Sequence, residues 1–65
     1  MKVEFEREDD GRWIAEVDAI PGALAYGATR SEALARVEAL VLRILADRLE
    51  NGEPAPEVDG LFAAA

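Results

Sequence analysis

The sequence predicts an α+β domain in which a three-stranded antiparallel meander is followed by one long helix packed on it, in the order β-β-β-α. Three observations carry this. Residues 1–28 alternate apolar and polar positions between turn signals. From Thr29 to Glu50 the chain runs without proline or glycine and the apolar residues recur at helical spacing. At 65 residues, a single domain is the only sensible count.

The first strand is read from Met1, Val3 and Phe5, which alternate with Lys2, Glu4 and Glu6 at the period of a half-buried strand. Glu8-Asp9-Asp10-Gly11 is a hairpin turn, because aspartate and glycine tolerate the positive φ of tight turns. The second strand sets Trp13, Ala15 and Val17 on one face and Arg12, Ile14 and Glu16 on the other. Ile20-Pro21-Gly22 turns the chain again, with proline presetting φ and glycine supplying a positive φ after it. Ala23 to Ala28 is the third strand, with Leu24 and Tyr26 on one side and small alanines on the other.

Thr29-Arg30-Ser31-Glu32 matches the capping box that opens a helix. Asn51-Gly52 closes it, giving about 21 residues and roughly 31 Å at 1.5 Å per residue. Gly52-Glu53-Pro54-Ala55-Pro56 is a stiff linker. Val58, Leu61 and Phe62 then form a short fourth strand or a loosely packed tail.

The helix carries more apolar surface than one small sheet covers. Ala33, Val37, Leu40, Val41 and Ile44 make the stripe expected on the sheet. Leu34, Leu42, Leu45 and Leu49 continue around from it, with Ala35, Ala39 and Ala46 beyond. Two coverings are open. The segment with Leu61 and Phe62 folds back over the excess, or the Leu34, Leu42, Leu45 and Leu49 flank packs on another chain. A short tail hides little of a helix of roughly 30 Å, which favours the second and so a homo-oligomer, dimer or tetramer.

Composition narrows the function classes. Fourteen acidic against seven basic residues give a formal net charge of -7, a balance that repels phosphate backbones and suits a basic protein partner. A 51% hydrophobic content excludes a disordered chain. Cysteine and histidine are absent, which removes disulfides and the commonest metal ligands. The start of the chain lacks the apolar block of a signal peptide, and no stretch is long enough to span a bilayer, so a cytoplasmic location is expected.

Conventional catalysis lacks its parts, and no enzyme activity or cofactor is expected. The sole serine, Ser31, lies in the first helical turn, where capping explains it, and without histidine or cysteine it has no base beside it. The five glycines are scattered singly rather than gathered in a phosphate-binding loop. Glu6, Glu8, Asp9 and Asp10 cluster near the first hairpin, but their spacing matches no calcium loop, and turn chemistry accounts for Asp9 and Asp10, so no metal is expected. Trp13 and Tyr26 are read as core rather than as stacking platforms.

The ordered motifs resemble the N-terminal domain of the HicB antitoxin family. The resemblance runs through Val3-Glu4-Phe5-Glu6, Glu8-Asp9-Asp10-Gly11, Trp13, Ile20-Pro21-Gly22, Tyr26-Gly27-Ala28-Thr29, Ser31-Glu32-Ala33-Leu34 and Asn51-Gly52-Glu53-Pro54-Ala55-Pro56. It makes residues 1–56 a HicB-like domain and residues 57–65 a tail or short strand. The resemblance implies a partial ribonuclease-H-like fold without the metal-binding carboxylates of the true enzyme. It also implies neutralisation of a HicA-like toxin, a small basic RNA-cleaving protein, and frequent dimers or tetramers. Where the family often has cysteine after the proline-glycine turn, this chain has Ala23. The C-terminal DNA-binding domain that many members carry has no counterpart in the nine residues after Pro56, so no direct nucleic-acid binding by this chain alone is expected. On this reading Glu8, Asp9, Asp10 and Trp13 form the partner-binding surface. The alternative is a solitary oligomeric scaffold or regulator with no toxin partner.

Overall fold

A computed structural model describes residues 1–63, so the last two positions of the 57–65 segment lie outside the described residues. Strand β1 (Glu4–Arg7), strand β2 (Trp13–Glu16) and strand β3 (Leu24–Gly27) are followed by helix α1 (Arg30–Glu50) and a short 3-10 turn at Pro56–Val58. The sheet is antiparallel in the order β1-β2-β3, and α1 lies across one face of it. This is the predicted α+β meander with one helix. The first strand begins at Glu4 rather than Met1, and the third is confined to Leu24–Gly27.

Local chemistry sets the connections. The Glu8 amide donates to the Arg12 carbonyl at 2.7 Å and the Gly11 amide to the Glu8 carbonyl at 2.9 Å, closing a three-residue loop over Asp9, Asp10 and Gly11. Gly11 has φ +90°, the left-handed conformation that such loops require at their last position. In the second connection the Ala23 amide donates to the Ile20 carbonyl at 3.0 Å around Pro21 and Gly22, the latter with φ +85°. That geometry is a type II turn, and it drops the Ile20 side chain, 1% exposed, into the core.

The register aligns Phe5 with Ala15 and Ala15 with Ala25, all on the face that meets the helix. The alanines on this face let α1 approach closely. The core is accordingly slim: Ala15, Val17, Ile20 and Ala23 from the sheet side meet Ala33, Val37, Val41 and Leu45 from the helix, with Ala55 at one end. The helix packs chiefly on β3, then on β2, and barely on β1. Val3 and Phe5 are therefore only half-buried.

Both helix ends are capped. The Thr29 hydroxyl accepts from the Glu32 amide at 3.1 Å, while the Glu32 carboxylate accepts from the Ala28 amide at 3.0 Å, one residue earlier than in the usual reciprocal box. At the other end the Glu53 amide donates to the Arg48 carbonyl at 2.8 Å and the Gly52 amide to the Leu49 carbonyl at 3.2 Å. Gly52 has φ +72°, which completes a Schellman motif.

The phase of the helix differs from the expected stripe. Leu45, 2% exposed, closes the buried row of Ala33, Val37, Val41 and Leu45, whereas Leu40 and Ile44 are only half-buried. Beyond the helix there is no fourth strand among the described residues. Ala55 is buried and Val58 half-buried, and Arg48 reaches Glu57 at 3.8 Å to hold the 3-10 turn. Leu61 and Phe62 are 66% and 79% exposed, so they do not fold back over the helix. Among the described residues, no helix is long and apolar enough to cross a membrane.

Candidate functional site

Alternation along the three strands sends Glu4 and Glu6, Ile14 and Glu16, and Leu24 and Tyr26 to the face of the sheet that the helix does not cover. The register stacks them across the sheet. Glu6 stands opposite Ile14 and Ile14 opposite Tyr26, while Glu4 stands opposite Glu16 and Glu16 opposite Leu24. The result is an apolar row of Ile14, Tyr26 and Leu24 bordered by carboxylates. Ile14 is half-buried, and Leu24 and Tyr26 are exposed.

At one end of this face Glu4, Glu16 and Asp18 each bring a carboxylate oxygen to within 4.8 Å of the others. All three are exposed. Like charges placed directly opposite on neighbouring strands are destabilising, so this corner raises the energy of the free chain. The Lys2 ammonium lies 3.8 Å from Glu4 and is itself largely in solvent. At the other end the Arg12 guanidinium lies 4.7 Å from the centre of the Tyr26 ring, a cation–π contact across the open face.

The hairpin residues expected to bind a partner are placed differently from one another. Asp9 is exposed at the loop tip and Glu8 half-buried at its base. Asp10 is turned inward on the loop: its carboxylate accepts from the Arg12 amide at 3.0 Å and from Arg12 Nε at 2.7 Å. The backbone hydrogen bond first, and the guanidinium second, hold the Asp10 carboxyl below its ordinary value. Trp13 is on the helix-facing side, half-buried against the core, with the Arg7 guanidinium 5.8 Å from its ring centre. Asp9 and Trp13 thus do not share one surface with the open sheet face. Tyr26, read as core, is on the exposed side instead, because the helix covers the alanine face of β3.

The proposed oligomer flank divides in the same way. Leu42 and Leu49 are 62% and 53% exposed, Leu34 is half-buried, and Leu45 belongs to the chain's own core, where it offers nothing to another chain. Leu42 lies on the β1 side of the helix, lining a groove of about 230 Å³ with Met1, Val3, Val17, Glu38 and Val41. On the β3 side Arg36 Nη1 donates to the Tyr26 carbonyl at 3.0 Å while its Nη2 pairs with Glu32 at 3.2 Å. Ser31 sits in the first helical turn, its hydroxyl 3.4 Å from that of Thr29.

Glu4, Glu16 and Asp18 were not singled out from the sequence. Alternation puts Glu4 and Glu16 on outward faces, but their juxtaposition depends on the hairpin register, and Asp18 lies in a turn beyond the strand. Comparison with known proteins yields no matching family model, no matching curated protein and no matching solved structure.

Proposed function

We propose that the chain is a HicB-like antitoxin, or a binding domain derived from one, that neutralises a small basic RNA-cleaving toxin of the HicA type. The observation that carries this is the uncovered sheet face, where the apolar row of Ile14, Leu24 and Tyr26 runs beside the crowded carboxylates of Glu4, Glu16 and Asp18. A basic protein docking there relieves the repulsion between the carboxylates and buries the apolar row in one step. Charge of this kind mainly sets specificity and the rate of encounter, while the apolar centre supplies affinity. The net charge of -7 adds long-range attraction for a basic partner. The β-β-β-α order also agrees with the partial ribonuclease-H-like fold that the resemblance implies.

On this reading the chain acts in the cytoplasm by binding alone, without a cofactor and without touching nucleic acid itself. The partner-facing residues are Glu4, Glu16, Asp18, Leu24 and Tyr26, with Glu8 and Asp9 at the hairpin tip as steering charges. The test is a calorimetric titration of a purified HicA-type toxin into the chain at increasing salt, coupled to an assay of RNA cleavage by the toxin. Stoichiometric binding that weakens with salt and silences cleavage is expected. Binding that is unchanged when Glu16 and Tyr26 are replaced by glutamine and alanine would sink the assignment of this face.

A second reading is favoured by the exposure of Leu42 and Leu49. In it the chain is a solitary oligomeric scaffold or regulator with no toxin partner. Self-association in the absence of any affinity for the toxin would select it.

A further inference from the structure

We propose that two copies of this chain pair through residues 1–5, which then extend β1 at its N-terminal end, antiparallel and centred on Val3, to give one continuous six-stranded sheet. This rests on the self-association reading above and names the surface and register that it uses.

The two edges of the sheet are unequal. Hydrogen-bonded and non-hydrogen-bonded pairs alternate along an antiparallel ladder. The bond from the Glu8 amide to Arg12 therefore directs the backbone groups of Glu4 and Glu6 toward β2, and those of Phe5 and Arg7 outward from β1; the same alternation, continued one residue before the strand, turns Val3 outward as well. The bond from the Val17 amide to the Ala23 carbonyl, 3.0 Å, likewise directs Leu24 and Tyr26 outward from β3. At the β3 edge Arg36 occupies the Tyr26 carbonyl. No side-chain hydrogen bond reaches the outward backbone groups of β1 among the described residues. The open edge is also the one that the helix barely supports, and the groove holding Met1, Val3 and exposed Leu42 runs beside it.

Charge favours a second copy of the chain in the register that opposes no like charges. Residues opposite each other must point to the same face if both helices are to lie on one side. Centring the pair on Glu4 sets Lys2 against Glu6 but also Glu4 against its own copy, centring on Phe5 sets Glu4 against Glu6, and centring on Glu6 sets Glu6 against itself, so each of these registers holds a like-charged pair. Centring on Val3 instead sets Lys2, the chain's single lysine, against Glu4 of the second copy, twice by symmetry. Val3 then meets Val3, Met1 meets Phe5, and the Leu42 and Leu49 flanks of the two helices face each other beneath the joined strands. The Lys2–Glu4 contact within one chain spans 3.8 Å between exposed groups and is readily exchanged for the contact between chains.

Sedimentation equilibrium of the full chain at low salt tests this with a charge swap. The wild type is expected to dimerise. Lys2→Glu and Glu4→Lys each place two like-charged pairs across the dyad, and each is expected to weaken the dimer roughly tenfold. The double variant K2E/E4K restores opposite charges and is expected to return the dissociation constant to within about threefold of wild type. Both positions of the test are exposed, and circular dichroism of each of the three variants checks that the fold is kept. A dimer indifferent to the single changes, or a double variant as weak as the singles, overturns β1 pairing while leaving self-association standing. A wild type that stays monomeric at millimolar concentration overturns both.

Discussion

Gly27 lies so close to the first turn of the helix that a Cβ added to it would stand 2.4 Å from the Ala33 amide nitrogen and 2.9 Å from its Cα. Both neighbours are backbone atoms, so neither can swing aside. This contact fixes how near α1 sits to β3, and with it the depth of the whole core.

Gly27→Ala should therefore destabilise the chain. Removing a glycine from a strand ordinarily helps, by roughly 0.5–1 kcal/mol. Here the steric term dominates, and a net loss of about 1–3 kcal/mol is expected, read from the midpoint of urea unfolding. A gain in stability would mean that the strand and helix separate freely.

Glu16→Gln should do the opposite. It removes one of two carboxylates that face each other across β1 and β2, and the free chain should gain about 0.2–1 kcal/mol. Added salt should stabilise the wild type more than the variant, because screening relieves the same repulsion. The thermal midpoints of the two proteins at low and high salt check this directly.

Leu45→Ala and Leu42→Ala should part company although both leucines lie in the same apolar arc. The first empties a site that is 2% exposed and should cost about 2–5 kcal/mol. The second trims a side chain in solvent and should change monomer stability by no more than about 0.5 kcal/mol. Denaturant titrations at a concentration low enough to keep the chain monomeric separate the two.

Asp10 supplies a pH signature. Its folded pKa lies below the ordinary value of 3.8 because the Arg12 amide and guanidinium favour the charged form. A depressed folded pKa means that the carboxylate's contribution is complete above the unfolded value and is lost as pH falls through the folded one. The difference in thermal midpoint between wild type and Asp10→Asn should hence be present near neutrality and shrink steadily below the ordinary carboxylate range. A difference that grows on acidification would contradict the assignment.

What the sequence made legible was local. The hairpin at Asp9-Asp10-Gly11, the turn at Pro21-Gly22 and the caps at Thr29 and Gly52 each depend on residues a few positions apart, and each forms. Alternation also showed that Leu24 and Tyr26 share a face. Which face the helix would cover was not legible, because that depends on the closeness permitted by Ala15, Ala25 and Gly27 across three strands. Tyr26 was assigned to the wrong side for that reason. The same limit applies to the phase of the helix. Leu40, Ile44 and Leu45 are all compatible with one broad apolar arc, and only the position of β3 and β2 beneath the helix makes Leu45 the buried one. Glu4 and Glu16 meet through the length of a loop rather than through any motif, so the candidate site was visible only as separate charges.

If copies join through β1 as proposed, Arg36 bears on how far the assembly grows. A sheet with two receptive edges adds copies at both and lengthens without limit into a fibre. In the proposed pair the β1 edges are used up, and the rims that remain are those of β3, where the Tyr26 carbonyl is occupied by Arg36 and the Leu24 amide by the Gly22 carbonyl. Under that proposal an arginine on the helix, far from the junction, works against growth of the pair into a filament.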